Sequence, residues 1–105
     1  MSDEVRDNPP ESRFEIEVDG HRGVLEYHRS GKRLVLIHTE VPHALEGRGI
    51  AGQLVRTAVD AAETDGLTVV PRCPYARAWL ERHPDDAARV SIDWATTGSA
   101  RDSGG

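Results

Sequence analysis

Cysteine is almost missing from this sequence: Cys73 is the one thiol among 105 residues. A single thiol excludes an intrachain disulfide framework and a cysteine-based zinc knuckle. It sets a reducing, cytoplasmic compartment as the expectation. Long apolar runs are missing as well. No stretch approaches the roughly 20 residues that a membrane-spanning helix needs, so no membrane partner is expected. The opening Met1-Ser2-Asp3-Glu4 has neither the basic nor the apolar region of a secretory signal. Positive charge is in short supply: 13 Lys and Arg stand against 18 Asp and Glu, a net charge of −5. Without a basic stripe, nucleic acid is not an expected partner. His21, His28, His43 and His83 show no metal-ligand spacing, so no metal is expected.

What remains fits one small domain. Residues 1–11 are acidic, contain Pro9-Pro10 and hold little that can be buried. Residues 95–105 are small and polar. Both are expected to be disordered tails, because neither can offset its ordering entropy. The folded domain is then residues 12–94. Within it, Phe14, Ile16 and Val18 alternate with polar residues, the period of a half-buried strand. Asp19-Gly20 is a tight-turn signal. A second strand is expected over His21 to His28. After Ser30-Gly31 comes a third over 33–41, whose aliphatic run Leu34-Val35-Leu36-Ile37 suggests a central strand covered on both faces.

The period then changes. Ile50, Ala51, Leu54, Val55, Ala58, Val59, Ala61 and Ala62 line one side of an amphipathic helix over 50–65. Gly66 stands where a left-handed C-cap belongs. Leu67 to Val70 reads as a strand parallel to the third, because the crossover between them should be right-handed. A second helix is expected from near Tyr75 to near His83, with Ala76, Trp79 and Leu80 buried. Val90, Ile92 and Trp94 suggest a last edge strand. The fold class is α/β in the α+β sense: a mixed, mainly antiparallel sheet of order β-β-β-α-β-α with helices packed on it.

The segment Glu46-Gly47-Arg48-Gly49-Ile50-Ala51-Gly52 joins a strand to the start of the long helix. The first helical turn leaves about four N–H groups without internal partners, and the macrodipole adds roughly half a positive charge there. Gly47, Gly49 and Gly52 let a ligand approach the chain closely, and Arg48 adds a cation. Together these form an anion cradle suited to a pyrophosphate. No Gly-x-x-x-x-Gly-Lys-Ser/Thr is present, which excludes a P-loop. A dinucleotide fingerprint would need an acid after the next strand, where Val70-Pro71 stands. The competing interpretation is a glycine-rich helix start that serves packing only.

The segments FEIEVDGHRGVLEYHRSGKRLVLIHTEV and VPHALEGRGIAGQLVRTAVDAAETDGLTVVPRCPYARAWLERHPD resemble the small, single-domain GNAT-type N-acetyltransferases, over about residues 13–85. The resemblance rests on the ordered set His38-Thr39-Glu40-Val41-Pro42, the Glu-Gly-Arg-Gly-Ile-Ala-Gly loop and Val70-Pro71-Arg72-Cys73-Pro74-Tyr75. It implies acetyl-CoA as co-substrate, its pyrophosphate wrapped by the pattern Gln/Arg-x-x-Gly-x-Gly/Ala. Gly49, Ile50 and Ala51 fill the last three positions here, and Glu46 departs at the first. The resemblance also implies that Thr39 and Val41 line the pantetheine arm, in a gap where this strand splays from the strand at 67–70.

Amine acetylation needs a base for the amine proton and an acid for the departing thiolate. Glu40 lies where many members place a carboxylate base. His38 shares its face by strand periodicity and titrates near neutrality. Cys73 follows the neighbouring strand and can act as an acid or a transient acyl carrier. Each also has a plainer reading: a strand-end surface charge, a core histidine, a small buried residue. Trp79-Leu80 stands where the family usually carries its tyrosine acid. The function implied is transfer of an acetyl group to an amine, on a small molecule or a protein lysine, by direct attack. The alternative is a non-catalytic CoA or acetyl-CoA sensor or protein-interaction module.

Overall fold

A computed structural model describes residues 4–94. Six strands form one sheet in sequential order: β1 (Arg6–Asn8), β2 (Arg13–Val18), β3 (His21–Ser30), β4 (Arg33–Glu40), β5 (Thr68–Pro71) and β6 (Ser91–Ile92). The first three pairings are antiparallel, whereas β4–β5 and β5–β6 are parallel. Helix α1 (Ile50–Asp65) is the crossover between β4 and β5, and α2 (Pro74–Arg82) and the short α3 (Pro84–Ala87) follow β5. The mixed, mostly antiparallel sheet with packed helices is the expected fold class.

The turns follow from residue chemistry. Asp19 and Gly20 have φ of 52° and 81°, the positive pair that a two-residue hairpin loop needs between right-twisted strands. Helix α1 spans the expected residues. It starts after Gly49 (φ 73°) and ends at Gly66 (φ 66°), whose N–H bonds the Ala62 carbonyl. Its buried stripe of Ile50, Leu54, Val55, Ala58, Val59 and Ala62 packs with Phe14, Ile16, Leu25, Leu34, Leu36 and Val69 into one core. Each such large aliphatic side chain contributes ~1.5–3 kcal/mol on burial.

Three expectations need correction. The segment 1–11 is structured over the part described: β1 pairs with β2, a 3-10 turn spans Pro9–Glu11, Val5 packs against the core, and Asp7 accepts a hydrogen bond from the Tyr27 hydroxyl at 2.6 Å. Sheet pairing, the Val5 contact and the Asp7–Tyr27 hydrogen bond order a stretch that has few apolar residues. The run Leu34-Val35-Leu36-Ile37 is not covered on both faces. Leu34 and Leu36 are buried against the helices, while Val35 is half-buried and Ile37 is 46% exposed. The last strand is shorter than the alternation suggests, and Trp94 lies beyond it, with the Arg77 guanidinium over its ring. The expectation for 95–105 lies outside the described residues.

Glu15 is a further surprise. Strand alternation turns it to the face away from the helices, yet it is only 9% exposed. Asn8 and Arg13 both donate to it at 2.9 Å, and Arg22 lies at 3.9 Å. The Asn8 hydrogen bond, aided by the two arginines, holds its carboxyl below the ordinary value despite burial. No helix among the described residues is long and apolar enough to cross a membrane. No group of three or more potential metal-ligating side chains occurs among them.

Candidate functional site

The sheet opens between its two central strands. The β4–β5 pairing runs from Arg33↔Thr68 to Leu36↔Pro71 and stops. The N–H groups of Arg72 and Cys73 both turn back to the Leu36 carbonyl, at 3.0 and 2.9 Å. Strand β4 continues to Glu40, paired with β3 alone. The cause lies in the register on the other side. Tyr27 pairs with Leu36 but Glu26 pairs with His38, which leaves Ile37 as an extra residue on β4. A β-bulge of this kind bends its strand and sharpens the local twist. It sits where the pairing with β5 ends, so residues 37–40 have no strand at their β5-facing edge among the described residues.

Two side chains meet across this wedge. Thr39 points to the helix-covered face, as its partner Leu25 does. Its Oγ1 lies 3.1 Å from the Sγ of Cys73. Cys73 caps the N-terminus of α2 and is 3% exposed. His38 and Glu40, paired with Glu26 and Val24, point to the opposite face and are exposed. The reading of His38 as a core histidine is therefore wrong. The three candidate catalytic groups do not converge: Cys73 joins Thr39 on the inner side, while His38 and Glu40 stand on the outer side of the same strand end.

The start of α1 lies beside the end of β4: a Cβ placed on Gly23 would lie 3.1 Å from Ile50 and 3.7 Å from Val41. Gly47 and Gly49 both have positive φ, 84° and 73°, so the turn into the helix needs their freedom. The helix has no side-chain cap, and its first internal bond runs from the Gln53 N–H to the Gly49 carbonyl at 3.1 Å. The N–H groups of Ile50, Ala51 and Gly52 therefore lack intrahelical acceptors. Ile50 is buried in the core, while Ala51 and Gly52 are partly open. Arg48 is held by Asp19 in the β2–β3 turn at 3.0 Å, and Glu46 lies 3.2 Å from His43 Nδ1. Both charges flank the loop with partners of their own. Val41 packs against the core. A Cβ placed on Gly52 would lie 2.8 Å from Trp79 Nε1 and 3.7 Å from the Tyr75 hydroxyl, so Gly52 is also a close-packing position between α1 and α2.

On the outer face lies a hollow of about 610 Å³ lined by Arg13, Arg22, Val24, Glu26, Glu40, Val41, Pro42 and His43. Its arginines are paired with Glu15 and Glu17. Glu26 and Glu40 are the carboxylates in the hollow with no partner among the described residues. Sequence reasoning missed Glu26. The signal was its pairing opposite His38, which depends on a register that the bulge shifts.

Residues 13–90 match the family model of the GCN5-related N-acetyl-transferases. The chain belongs to this family. It is similar to protein NATD1 of Mus musculus, 39% identical over 74 residues that cover 68% of this chain and 67% of that protein. The NATD1 of Danio rerio is 36% identical over 74 residues, with the same shares of each chain. In fold it is similar to the solution structure of a GCN5-like protein from Staphylococcus aureus, with a TM-score of 0.67 at 22% identity. That likeness covers 90% of this chain and 94% of the other.

For a GCN5-related domain this one is sparse. The connection from β1 to β2 is a single 3-10 turn, Pro9–Glu11.

Proposed function

We propose that the protein is an acetyl-CoA-dependent N-acetyltransferase that passes the acetyl group to an amine by direct attack. One observation carries the reading: β4 parts from β5 after Leu36↔Pro71, beside a glycine-rich helix start with unpaired N–H groups. These features fit the coenzyme. The first turn of α1 supplies donors for a diphosphate. The strandless edge of 37–40 offers backbone groups to the amides of the pantetheine arm, as a strand would. When bound, acetyl-CoA supplies the activated thioester.

The roles of the chain's own groups follow from their sides of the wedge. Thr39 and Cys73 are protic groups on the inner side, placed to give a proton to a departing thiolate. Glu40 lines the outer hollow and His38 stands on the same side of the strand, so these are the groups that would take the amine proton. A neutral amine is the nucleophile, so the base on the acceptor side matters most near its own pKa. The uncompensated carboxylates of Glu26 and Glu40 suit a cationic amine, from a small molecule or a protein lysine.

The test is release of CoA thiol from acetyl-CoA with a panel of polyamines and lysine peptides. Turnover above the uncatalysed rate is expected. Glu40→Gln and His38→Ala should lower kcat by about 10²-fold or more for whichever residue is the base. Cys73→Ala tests the inner side. Tight binding of acetyl-CoA without turnover on any acceptor would instead make the protein a coenzyme sensor or interaction module.

A further inference from the structure

Trp79 is a core residue with an unspent polar group. It is 5% exposed, and its indole N–H has no hydrogen-bond partner among the described residues. Its ring stacks on His83, with centroids 3.9 Å apart and planes at 13°. The Arg56 guanidinium lies 5.4 Å from the ring centroid. These contacts fix the ring plane and so fix where the N–H edge points. That edge meets Gly52, where an added Cβ would lie 2.8 Å from Nε1. Gly52 is the third residue of α1 and belongs to the turn whose N–H groups have no intrahelical acceptor. The Tyr75 hydroxyl reaches the same spot, 3.7 Å from that Cβ position. Tyr75 is 37% exposed.

Buried donors are almost always paired. Here a buried indole N–H and a phenolic hydroxyl stand against Gly52, in the turn whose amides have no intrahelical acceptor, with Arg56 beside the ring. The group that satisfies such a set is an acceptor oxygen with negative charge. We propose that the Trp79 indole N–H, with the Tyr75 hydroxyl beside it, is a side-chain ligand for the diphosphate of the coenzyme at the start of α1. This rests on the acetyl-CoA reading above. It gives Trp79, at the family's usual tyrosine position, a binding role in place of acid chemistry. It also gives Gly52 a reason beyond packing: any side chain there would separate the N–H from the first turn.

The experiment observes the two tryptophan indole N–H resonances of the ¹⁵N-labelled full chain, assigned with Trp94→Phe. The probes are CoA, ADP and pantetheine. CoA and ADP are expected to move the Trp79 indole resonance together with the amides of residues 50–52, and pantetheine to leave it in place. Trp79→Phe keeps a ring on His83 and removes the N–H. It should weaken CoA binding about tenfold or more by calorimetry. Movement of the 50–52 amides by CoA with a still Trp79 indole overturns this inference and leaves the acetyl-CoA reading intact. Movement by pantetheine but not ADP overturns the diphosphate assignment. No movement of any of these signals by CoA overturns the coenzyme reading itself.

Discussion

Gly52→Ala isolates the close approach of α2 to the start of α1. The added methyl would sit 2.8 Å from Trp79 Nε1 and 3.5 Å from Trp79 Cδ1, where ordinary contact begins near 3.4 Å. The indole must therefore retreat by about 0.6 Å. It has little room, because it is buried and stacked on His83. Overpacking of this kind costs ~1–3 kcal/mol. Alanine regains at most ~1 kcal/mol over glycine in a helix. The net expectation is a loss of roughly 1 kcal/mol, or about 4–8 °C in Tm for a domain of this size. Urea unfolding followed by tryptophan fluorescence reads both the midpoint and the displaced ring. Gly52→Ala in a Trp79→Leu background should lose less than in the parent, since the clashing edge is gone. A Gly52→Ala protein that is more stable by about 1 kcal/mol, with an unchanged fluorescence spectrum, would refute the packing argument.

Two other perturbations follow from the same structure. Gly49→Asp keeps a residue type that tolerates positive φ but sets a carboxylate where the diphosphate is proposed to lie. CoA affinity should fall by ~1–3 kcal/mol in calorimetry while the folded signal persists. Glu15 has a depressed carboxyl pKa, held there first by Asn8. Its contribution is present above the ordinary value of 4.5 and is lost as pH falls through the lower folded value. Urea midpoints should therefore drop as pH falls from 4.5 toward the lower folded value, and Asn8→Ala, which raises the folded value, should lower the midpoint near neutral pH and shrink that drop. Midpoints that ignore Asn8→Ala throughout the acid range would show that the network does not stabilise the fold.

The fold was legible wherever one local period acts alone. Phe14, Ile16 and Val18 read as a strand, and the stripe from Ile50 to Ala62 gave α1 its observed bounds because Gly49 and Gly66 punctuate it on both sides. Local patterns failed where the decisive partner is distant in sequence. β1 has no apolar alternation, and it is ordered by β2 and by Asp7 reaching Tyr27, 20 residues away. The aliphatic run of β4 cannot report that no helix among the described residues covers its outer face, since burial of Val35 and Ile37 depends on what distant parts of the chain supply. Side-chain period alone also places Glu15 on a solvated face, and only the arrangement of Asn8, Arg13 and Arg22 buries it.

The site divides along the same line. Its backbone part, a strand followed by Gly47, Gly49 and an uncapped helix, is contiguous and readable from spacing. Its side-chain part is not contiguous. Thr39 and Cys73 are 34 residues apart and meet only because the wedge forms between their strands. The wedge exists because Ile37 is inserted into the β3–β4 register, and no residue type near position 37 announces a bulge. From period two, His38 and Glu40 share a face, and they do. What the period could not supply is the phase relative to Leu34 and Leu36, because the bulge resets it. Without Ile37 bulged out, His38 and Glu40 would lie with Leu36 against the helices and Thr39 would face solvent. Holding Ile37 in a bulge, and not in register, thus turns the hydroxyl toward Cys73 and both of the other groups outward. Deleting Ile37 accordingly removes the bulge without exchanging the two sets, since His38 stays opposite Glu26 and Thr39 opposite Leu25; the strand should straighten and the wedge narrow, so CoA affinity by calorimetry should fall while the glycine loop keeps its geometry, and unchanged affinity would show that the bulge does not open the wedge.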